Sequence, residues 1–514
     1  MRRLHVTSSP TKGFLAVWFL TFGLLVVIIE TWSLATPIAA APDEGTQFIK
    51  AASVVRGEWL GPQPRGPGMS AFTMVRVPEV FAELPVGGCF INHPTQPAGC
   101  PGVHVSSSRT VVTSTYVGHY PPLYYLLVGG PSVLGTKASL YLVRGMSVLV
   151  NAAMLALALA TAYRWSRSAL MLPALAVAIT PMALFLSSVV NPSGLEITAA
   201  ICMWTAGTIL VVDHPRSPPT GLVAVLAAST SVLVLARGIS PLWPLICVCV
   251  LLPLAWGRVA IRSLLVRRDV QIGSAAVAFA VIAALSWTVL AHGLAVVAQG
   301  VPGPHVSSAA IARVVAGQSR NLVLQSIGVF GWLDTPAPLL TQLIWIGVGG
   351  GLVLVALLVG HKRILLSVTL AIGLSAGLPF VLSDLAARHS GLIAQGRYFL
   401  PLAVSIPIVS GAVSSQGGLP RRATGRLAAG VVWLAAAGQV AAAAWALHRY
   451  LVGTDGPLLP TAVVPGVWRP PLPGWALDLV FLAAWTCFAV LLVRFSVRRS
   501  PERVRVGDLG TSRG

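Results

Sequence analysis

Long apolar runs alternate with short polar turns along the chain, and this pattern predicts a bundle of membrane-spanning helices. A helix needs roughly 20 apolar residues to cross the hydrocarbon core of a bilayer. The first run covers Phe14 to Ile29 and continues less cleanly to about Ala35. Eleven further runs lie near 139–163, 169–190, 194–212, 221–236, 240–257, 272–298, 338–359, 364–383, 398–413, 427–447 and 475–493. The sequence therefore predicts an all-α polytopic membrane protein with about 12 transmembrane helices.

Composition excludes an ordinary soluble domain, because 55% of the 514 residues are hydrophobic and only 10% are charged. The net charge of +20 would suggest a nucleic-acid partner in a soluble chain. In a membrane protein the same excess reflects the enrichment of Lys and Arg in cytoplasmic loops. No basic helix or aromatic-interleaved patch indicates nucleic acid, so the expected surrounding partner is the lipid bilayer.

The charge distribution predicts the orientation. Arg2, Arg3 and Lys12 precede the first run, which places the N terminus in the cytoplasm. Alternate threading puts 21 of the 35 Lys and Arg residues inside, including a basic C-terminal tail. We therefore predict a multi-pass protein of the bacterial cytoplasmic membrane with both termini cytoplasmic. In a rival interpretation the first run is a signal-peptide core cleaved near Ala39–Ala41, although residues 30–32 separate the core awkwardly from that site.

Most of the residues outside the membrane are predicted on the outer side. Residues 36–138 form one long outer loop. Three shorter outer segments follow at 299–337, 384–397 and 448–474. Transporters usually place ionisable groups at mid-membrane and often show two related halves, and no internal repeat is visible here. Catalysis or binding at the outer face is the favoured hypothesis, with a catalytic module at 1–413 and a C-terminal transmembrane pair at 414–514.

Two adjacent carboxylates, Asp43 and Glu44, follow the first span directly. Such a pair at a membrane surface could supply a general base and an orienting partner, or bind a divalent cation. The alternative is a plain helix N-terminus, where Asp is a favoured cap and Glu a favoured first-turn residue. No other cofactor is indicated.

Aromatic and basic residues mark the other outer ends of the predicted spans. His119, Tyr120 and Tyr124 precede the second span, and Arg144 lies close to its start. An aromatic belt at the interface explains the tyrosines equally well, and snorkelling explains a lone arginine.

Two later segments continue the same pattern. Trp332 and Asp334 precede one span, and Gln395, Arg397 and Tyr398 lead into another. A guanidinium at this depth could clamp a lipid phosphate through two donors.

Four short motifs follow one another along the chain: Pro42–Glu44, Pro121–Tyr125, Gly331–Pro336 and Gln395–Pro401. In this order they resemble the domain of unknown function 2142 family of bacterial membrane proteins, which is grouped with the GT-C glycosyltransferases. The resemblance runs from about residue 14 to about residue 413.

The resemblance implies a GT-C-like helical bundle and an inverting glycosyltransferase. Such an enzyme takes a sugar from a polyprenyl-phosphate donor on the outer leaflet and passes it to an envelope glycan or glycolipid acceptor. Asp43 is then the general base, assisted by Glu44, while Arg397, Arg144 and Arg237 are candidates for binding the donor phosphate. The expected substrate pocket comprises His119, Tyr120, Tyr124, Trp332, Asp334, Gln395 and Tyr398. Two rivals stay open: a transporter or flippase for lipid-linked glycans, and a non-catalytic assembly protein.

The sequence also departs from the GT-C pattern. Tyr120 separates His119 from the prolines that usually follow a histidine directly, and Asn191 begins a segment where related chains often carry an acidic residue. Glu196 would have to supply a second outer carboxylate if one is needed.

The six cysteines fall into two groups. Cys89 and Cys100 lie in the long outer loop, and we predict that they form a disulfide because that compartment is oxidising. The other four lie in spans, where small packing residues are expected, and their spacing does not match a zinc site.

Overall fold

The computed structural model describes residues 10–64, 72–84, 89–99, 108–292, 307–358, 360–387, 394–414, 420–457 and 467–497. Cys100 and most of the basic C-terminal tail lie outside these residues. Within them the chain is predominantly helical, which confirms the predicted all-α polytopic class.

The described residues form nineteen α-helices, numbered in chain order. The first ten are α1 (Pro10–Leu34), α2 (Glu44–Val54), α3 (Glu79–Ala82), α4 (Leu123–Val128), α5 (Lys137–Trp165), α6 (Met171–Ala178), α7 (Pro181–Ser187), α8 (Pro192–Asp213), α9 (Thr220–Val234) and α10 (Leu242–Ala255). The others are α11 (Ile261–Leu265), α12 (Arg268–Leu290), α13 (Ser308–Gly328), α14 (Leu339–Leu358), α15 (Lys362–Ala387), α16 (Gly396–Ala403), α17 (Ser405–Ser414), α18 (Arg421–Val452) and α19 (Gly474–Val497). A short 3-10 helix covers Gly130–Leu134.

Each of the twelve predicted apolar runs overlaps one or two of these helices, and residues 293–298 of the run 272–298 lie outside the described residues. Eight described helices are long and apolar enough to cross a membrane, namely α1, α5, α8, α12, α14, α15, α18 and α19. The apolar helices α9 and α10 are shorter. The predicted spans 169–190 and 398–413 are each divided into two helices, α6 with α7 and α16 with α17. The predicted number of about 12 spans agrees with this set.

Helix α8 lies at the centre of the bundle, since every residue from Pro192 to Ile209 is buried. Helix α12, by contrast, exposes large apolar side chains such as Phe279 and Val289, which are 73% and 70% exposed. Apolar residues on an outer helix face suit contact with lipid tails, and regular helices satisfy their own backbone polar groups there. The protein is therefore a multi-pass membrane protein.

The first predicted outer loop contains regular structure that hydropathy did not predict. Strand β1 (Thr73–Pro78) pairs antiparallel with β2 (Thr110–Thr115), from Thr73 opposite Thr115 to Pro78 opposite Thr110. Val75 and Val77 point inward from β1 while Arg76 is exposed, which is the alternation expected of a half-buried strand. The strands pack against α2, and we call the end of the bundle that carries them the α2 end.

Three further elements come from the predicted outer segment 299–337. Helix α13 has 21 residues, and Ser307 caps it by accepting a hydrogen bond from the Ala310 amide. A second antiparallel pair, β3 (Val329–Phe330) with β4 (Thr335–Pro336), follows immediately. Exposed polar residues on α13 kept this segment below the hydropathy of a span.

Candidate functional site

Asp43 occupies the N-cap position of α2 but does not cap it. Its backbone is left-handed, with φ 64° and ψ −2°, and its side chain makes no capping hydrogen bond. Aspartate tolerates this conformation better than most residues. The side chain instead accepts hydrogen bonds from Tyr116 Oη at Oδ1 and from Arg397 Nη2 at Oδ2, both at 2.7 Å. A quarter of it is exposed, so the carboxylate remains open to a ligand.

Arg397 lies in the first turn of α16, and its side chain is only 2% exposed. Besides Asp43, it donates from Nε to Gln395 Oε1 at 2.7 Å and from Nη2 to Tyr398 Oη at 3.2 Å. Its Nη1 is buried and has no hydrogen-bond partner among the described residues. A buried guanidinium with an unused donor is costly unless an acceptor meets it, so this nitrogen suits an anionic ligand.

Glycine is required immediately before Arg397. A Cβ at Gly396 would lie 2.3 Å from the Leu322 carbonyl oxygen of α13. The close approach lets the Ser326 hydroxyl donate to the Gly396 carbonyl at 3.1 Å. Helix α13 therefore fixes the start of α16, and with it the position of Arg397.

A second guanidinium lies beside Tyr398. The Arg237 guanidinium carbon is 4.8 Å from the Tyr398 ring centroid and 5.7 Å from that of Tyr120, and the Arg397 carbon is 5.0 Å from the Tyr398 ring. Cations over aromatic faces are stabilised by the ring quadrupole. The two arginines thus share one tyrosine ring and concentrate positive charge next to Asp43.

Glu196 holds Arg237 in place and is fully buried. It contacts Arg237 Nη1 at 3.2 Å and accepts from Ser240 Oγ at 2.7 Å and Trp243 Nε1 at 2.8 Å. Glu196, which the sequence suggested as a second outer carboxylate, therefore orients Arg237 and is not exposed to a substrate.

Glu44 and Arg144 form a completely buried bidentate ion pair. Arg144 donates from Nε and Nη2 to the two Glu44 oxygens at 2.7 Å, and its other donors reach the carbonyls of Ser33, Thr36 and Pro37. All five N–H groups of the guanidinium are thereby used. In this geometry Arg144 has no donor left for a phosphate, and Glu44, which also accepts from two backbone amides, has no open lone pair. The pair fixes the turn that presents Asp43.

Tyr124 is buried away from the open site. Its hydroxyl lies 2.9 Å from Ser147 Oγ and accepts from the Asn191 amide at 2.9 Å. His119 is also buried, and its Nδ1 donates to the Ala291 carbonyl at 2.5 Å while Nε2 has no partner among the described residues. Burial lowers the pKa of His119. The structure thus brings Tyr120 to Arg237, whereas Tyr124 is buried among Ser147 and Asn191.

Trp332 and Asp334, the two site residues predicted from the β3–β4 segment, contact different parts of the protein. Trp332 Nε1 donates to the Ala39 carbonyl at 3.3 Å, close to the Asp43 turn. Asp334 instead accepts from the Asn92 amide at 3.0 Å and from Arg449 Nη2 at 3.4 Å. Asp334 therefore anchors the loop around residue 92 to α18, in a cluster separate from Arg397.

Tyr116 and Lys50 belong to this region but were not predicted from the sequence. Tyr116 directly follows β2, a strand too short to give a hydropathy signal. Lys50 is buried on α2, donates to the carbonyls of Trp59 and Gly118, and lies 5.7 Å from the Trp287 ring centroid. Burial lowers the pKa of Lys50 to about 7. A lone lysine within an otherwise apolar stretch of α2 was the available signal for this residue.

The described cysteines differ in their bonding state. Cys89 is disulfide-bonded, whereas Cys202, Cys247, Cys249 and Cys487 are free. Cys100 lies outside the described residues, so its pairing with Cys89 stays a prediction. The described part of the chain holds no group of three or more His, Cys, Asp or Glu residues placed to bind a metal ion.

An apolar cavity of about 370 Å³ lies beside α16, between α13, α14, α15 and α17. Phe399 and Leu400, which directly follow Tyr398, line it, and its few polar residues are Thr180, Ser326 and Ser375. The cationic site and an apolar space are thus adjacent along α16.

Comparisons with known proteins give one family and several structural likenesses. A family model described as a predicted membrane protein, DUF2142, matches residues 24–406. No curated protein matches the chain. Crystal structures of ArnT from Cupriavidus metallidurans are similar to it: the apo form has a TM-score of 0.43 at 16% identity, covering 96% of this chain and 78% of ArnT. The form bound to undecaprenyl phosphate has a TM-score of 0.40 at 15% identity, covering 94% and 77%.

Proposed function

The chain belongs to the DUF2142 family of predicted membrane proteins, and we propose that it is an inverting glycosyltransferase that uses a polyprenyl-phosphate sugar donor. The acceptor is a glycan or lipid of the cell envelope. The reaction takes place at the α2 end, which faces the outside of the cytoplasmic membrane. Both termini are then cytoplasmic.

One observation carries the proposal: the Asp43 carboxylate meets the buried Arg397 guanidinium, whose Nη1 is unused among the described residues, at a partly open site. Sugar transfer from a lipid phosphate needs a base for the acceptor hydroxyl and a cation for the departing phosphate. Asp43 and Arg397 provide these two groups side by side.

The chemistry assigns each group one task. Asp43 takes the proton of the acceptor hydroxyl while the oxygen of that hydroxyl bonds to the anomeric carbon of the sugar. The bond between that carbon and the phosphate oxygen breaks on the opposite face, and the lipid phosphate leaves with the electron pair. Arg397, with Arg237 behind Tyr398, stabilises the negative charge on the leaving phosphate. The buried pair of Glu44 and Arg144 holds the turn of Asp43 in place.

The apolar cavity beside α16 supports a lipid-linked donor. Phe399 and Leu400 line it and follow the phosphate-binding Arg397 in sequence. A lipid whose phosphate contacts Arg397 can therefore place the first part of its hydrocarbon chain in this cavity, where burial of apolar surface stabilises it.

The deciding experiment compares envelope glycans and lipid-linked sugars in cells that lack the gene. The cells are complemented with wild type, with Asp43→Asn, or with Glu58→Gln as a control carboxylate that pairs with the exposed Arg76. We expect a defined sugar to disappear and to return with wild type and Glu58→Gln only. Full complementation by Asp43→Asn would exclude Asp43 as the base and favour a transporter, a flippase or an assembly protein.

The same cells test for a divalent cation. Transfer measured in their membranes with and without a chelator shows whether a metal ion takes part.

A further inference from the structure

Tyr116 has no task in the chemistry described above, yet it contacts the central carboxylate. It directly follows β2, and its Oη donates to Asp43 Oδ1 at 2.7 Å. The neighbouring Thr115 hydroxyl donates to the Thr46 carbonyl of α2 at 3.2 Å, which ties the strand end to the helix that follows Asp43. Phe72 packs edge-on against the Tyr116 ring, with 6.2 Å between centroids. The phenol is therefore held from several sides.

Each oxygen of Asp43 accepts one hydrogen bond in this structure, Oδ1 from Tyr116 and Oδ2 from Arg397. Each oxygen keeps a second lone pair, and a general base must direct one of these at the acceptor hydroxyl. The two contacts therefore set the direction in which the remaining lone pairs of Asp43 point.

The contact with Arg397 is the one that a substrate can replace. Arg397 Nη1 is already without a partner among the described residues, while Nε stays on Gln395. A phosphate is an acceptor for which a guanidinium has two suitably spaced donors, here Nη1 and Nη2. The Tyr116 hydroxyl is a single neutral donor and offers a phosphate no such paired, charge-assisted contact.

We propose that Tyr116 is the positioning residue of this site: it keeps Asp43 aligned through Oδ1 while the donor phosphate competes with Oδ2 for Arg397. This inference rests on the proposed glycosyl transfer. It follows that Tyr116 remains the contact that aligns Asp43 once the donor phosphate is bound to Arg397.

The acid–base properties of Tyr116 agree with this task. Burial raises the pKa of Tyr116 above its usual range, and the negative charge of Asp43 raises it further. The phenol therefore keeps its proton at neutral pH and remains a donor to Asp43.

The first test measures binding of undecaprenyl phosphate to the full chain in nanodiscs. Because Asp43 competes with the phosphate for Arg397, Asp43→Asn and Asp43→Ala should bind the lipid more tightly, by roughly tenfold for the loss of one charge-assisted competitor. Tyr116→Phe should bind it within about twofold of wild type, since Arg397 is unchanged.

The second test measures how fast the glycan identified by complementation re-forms after induction, at equal protein levels. Tyr116→Phe should lower this rate roughly tenfold, because a misaligned base loses part of its effect. Tyr450→Phe is the matched control: it also removes a buried phenolic hydroxyl, one that has no partner among the described residues. Its rate and lipid affinity should equal those of wild type.

The outcomes distinguish a failure of the Tyr116 inference from a failure of the proposed glycosyl transfer. Unchanged lipid affinity in both Asp43 variants would show that Asp43 does not compete with the phosphate for Arg397. A wild-type rate in Tyr116→Phe would overturn the positioning role of Tyr116. In either case the proposed glycosyl transfer stands. If wild type neither binds the lipid phosphate nor restores a sugar, the proposed function fails and the inference fails with it.

Discussion

Arg397 Nη2 lies 2.7 Å from Asp43 Oδ2, although the two residues are 354 positions apart in the chain. Asp43 is held by the turn before α2 and Arg397 by the first turn of α16, which packs on α13. The contact therefore depends on three separate segments meeting at the α2 end. An arginine that only snorkelled to the interface would need no such support.

Arg397 should be the main determinant of affinity for a lipid phosphate. We expect Arg397→Gln to weaken binding of undecaprenyl phosphate by roughly 10- to 100-fold, the scale of one or two charge-assisted hydrogen bonds. Arg397→Lys should recover only part of this, because an ammonium group is not a planar two-donor fork. Binding is measured in nanodiscs at constant ionic strength. Arg76→Gln, at an exposed arginine of β1, is the control, and equal losses in both variants would refute a specific phosphate contact.

The buried pair of Glu44 and Arg144 should dominate the stability of the α2 end. Glu44→Gln leaves the Arg144 charge buried without its carboxylate, and we expect a loss of roughly 3–5 kcal/mol in the free energy of unfolding. Glu58→Gln removes a partner of the exposed Arg76 and should cost less than about 1 kcal/mol. Thermal unfolding in detergent compares the two variants with wild type. Similar melting temperatures for both would show that the buried pair does not stabilise the fold.

Lys50 should make stability depend on pH above neutrality. Burial lowers its pKa from 10.5 to about 7 in the folded protein. Between these two values the unfolded chain binds the proton and the folded chain does not, so raising the pH favours folding, by at most about 1.4 kcal/mol per pH unit. Below about pH 7 Lys50 is protonated in both states, so stability no longer depends on pH through Lys50. The cost of burying its charge is largest in that range.

The measurement for Lys50 is thermal unfolding between pH 6.5 and pH 9.5. Lys50→Met should reduce the rise in stability with pH relative to wild type, whereas Lys137→Met, at an exposed lysine, should leave the slope unchanged. Identical slopes in wild type and Lys50→Met would mean that Lys50 keeps its proton in the folded state.

The apolar pattern predicted the helices well because hydropathy is a local property of the chain. Helix α8, for example, covers Pro192–Asp213 where the sequence predicted 194–212. Tyr116 escaped prediction because the strand before it is six residues long and half exposed. The partners of Arg144 could not be predicted, since Glu44 lies 100 positions away and only tertiary packing brings the two together. Sequence thus named Asp43 and Arg397 but not their contact.

The orientation of the α2 end determines whether the site can meet a donor in the outer leaflet. Thr110, on β2, and Ser217, between α8 and α9, are both exposed and belong to opposite ends of the α8 span. If the α2 end faces outward, a membrane-impermeant maleimide should label Thr110→Cys in spheroplasts and should label Ser217→Cys only after permeabilisation.

The native chain provides the background for this labelling, because its four free cysteines among the described residues lie on the apolar helices α8, α10 and α19. The reversed pattern, with Ser217→Cys labelled first, would place Asp43 and Arg397 on the cytoplasmic side. Transfer from a donor on the outer leaflet would then be impossible at this site, whereas a cytoplasmic donor would still meet the same carboxylate and guanidinium. Orientation therefore decides which leaflet supplies the substrate, independently of the chemistry of the site.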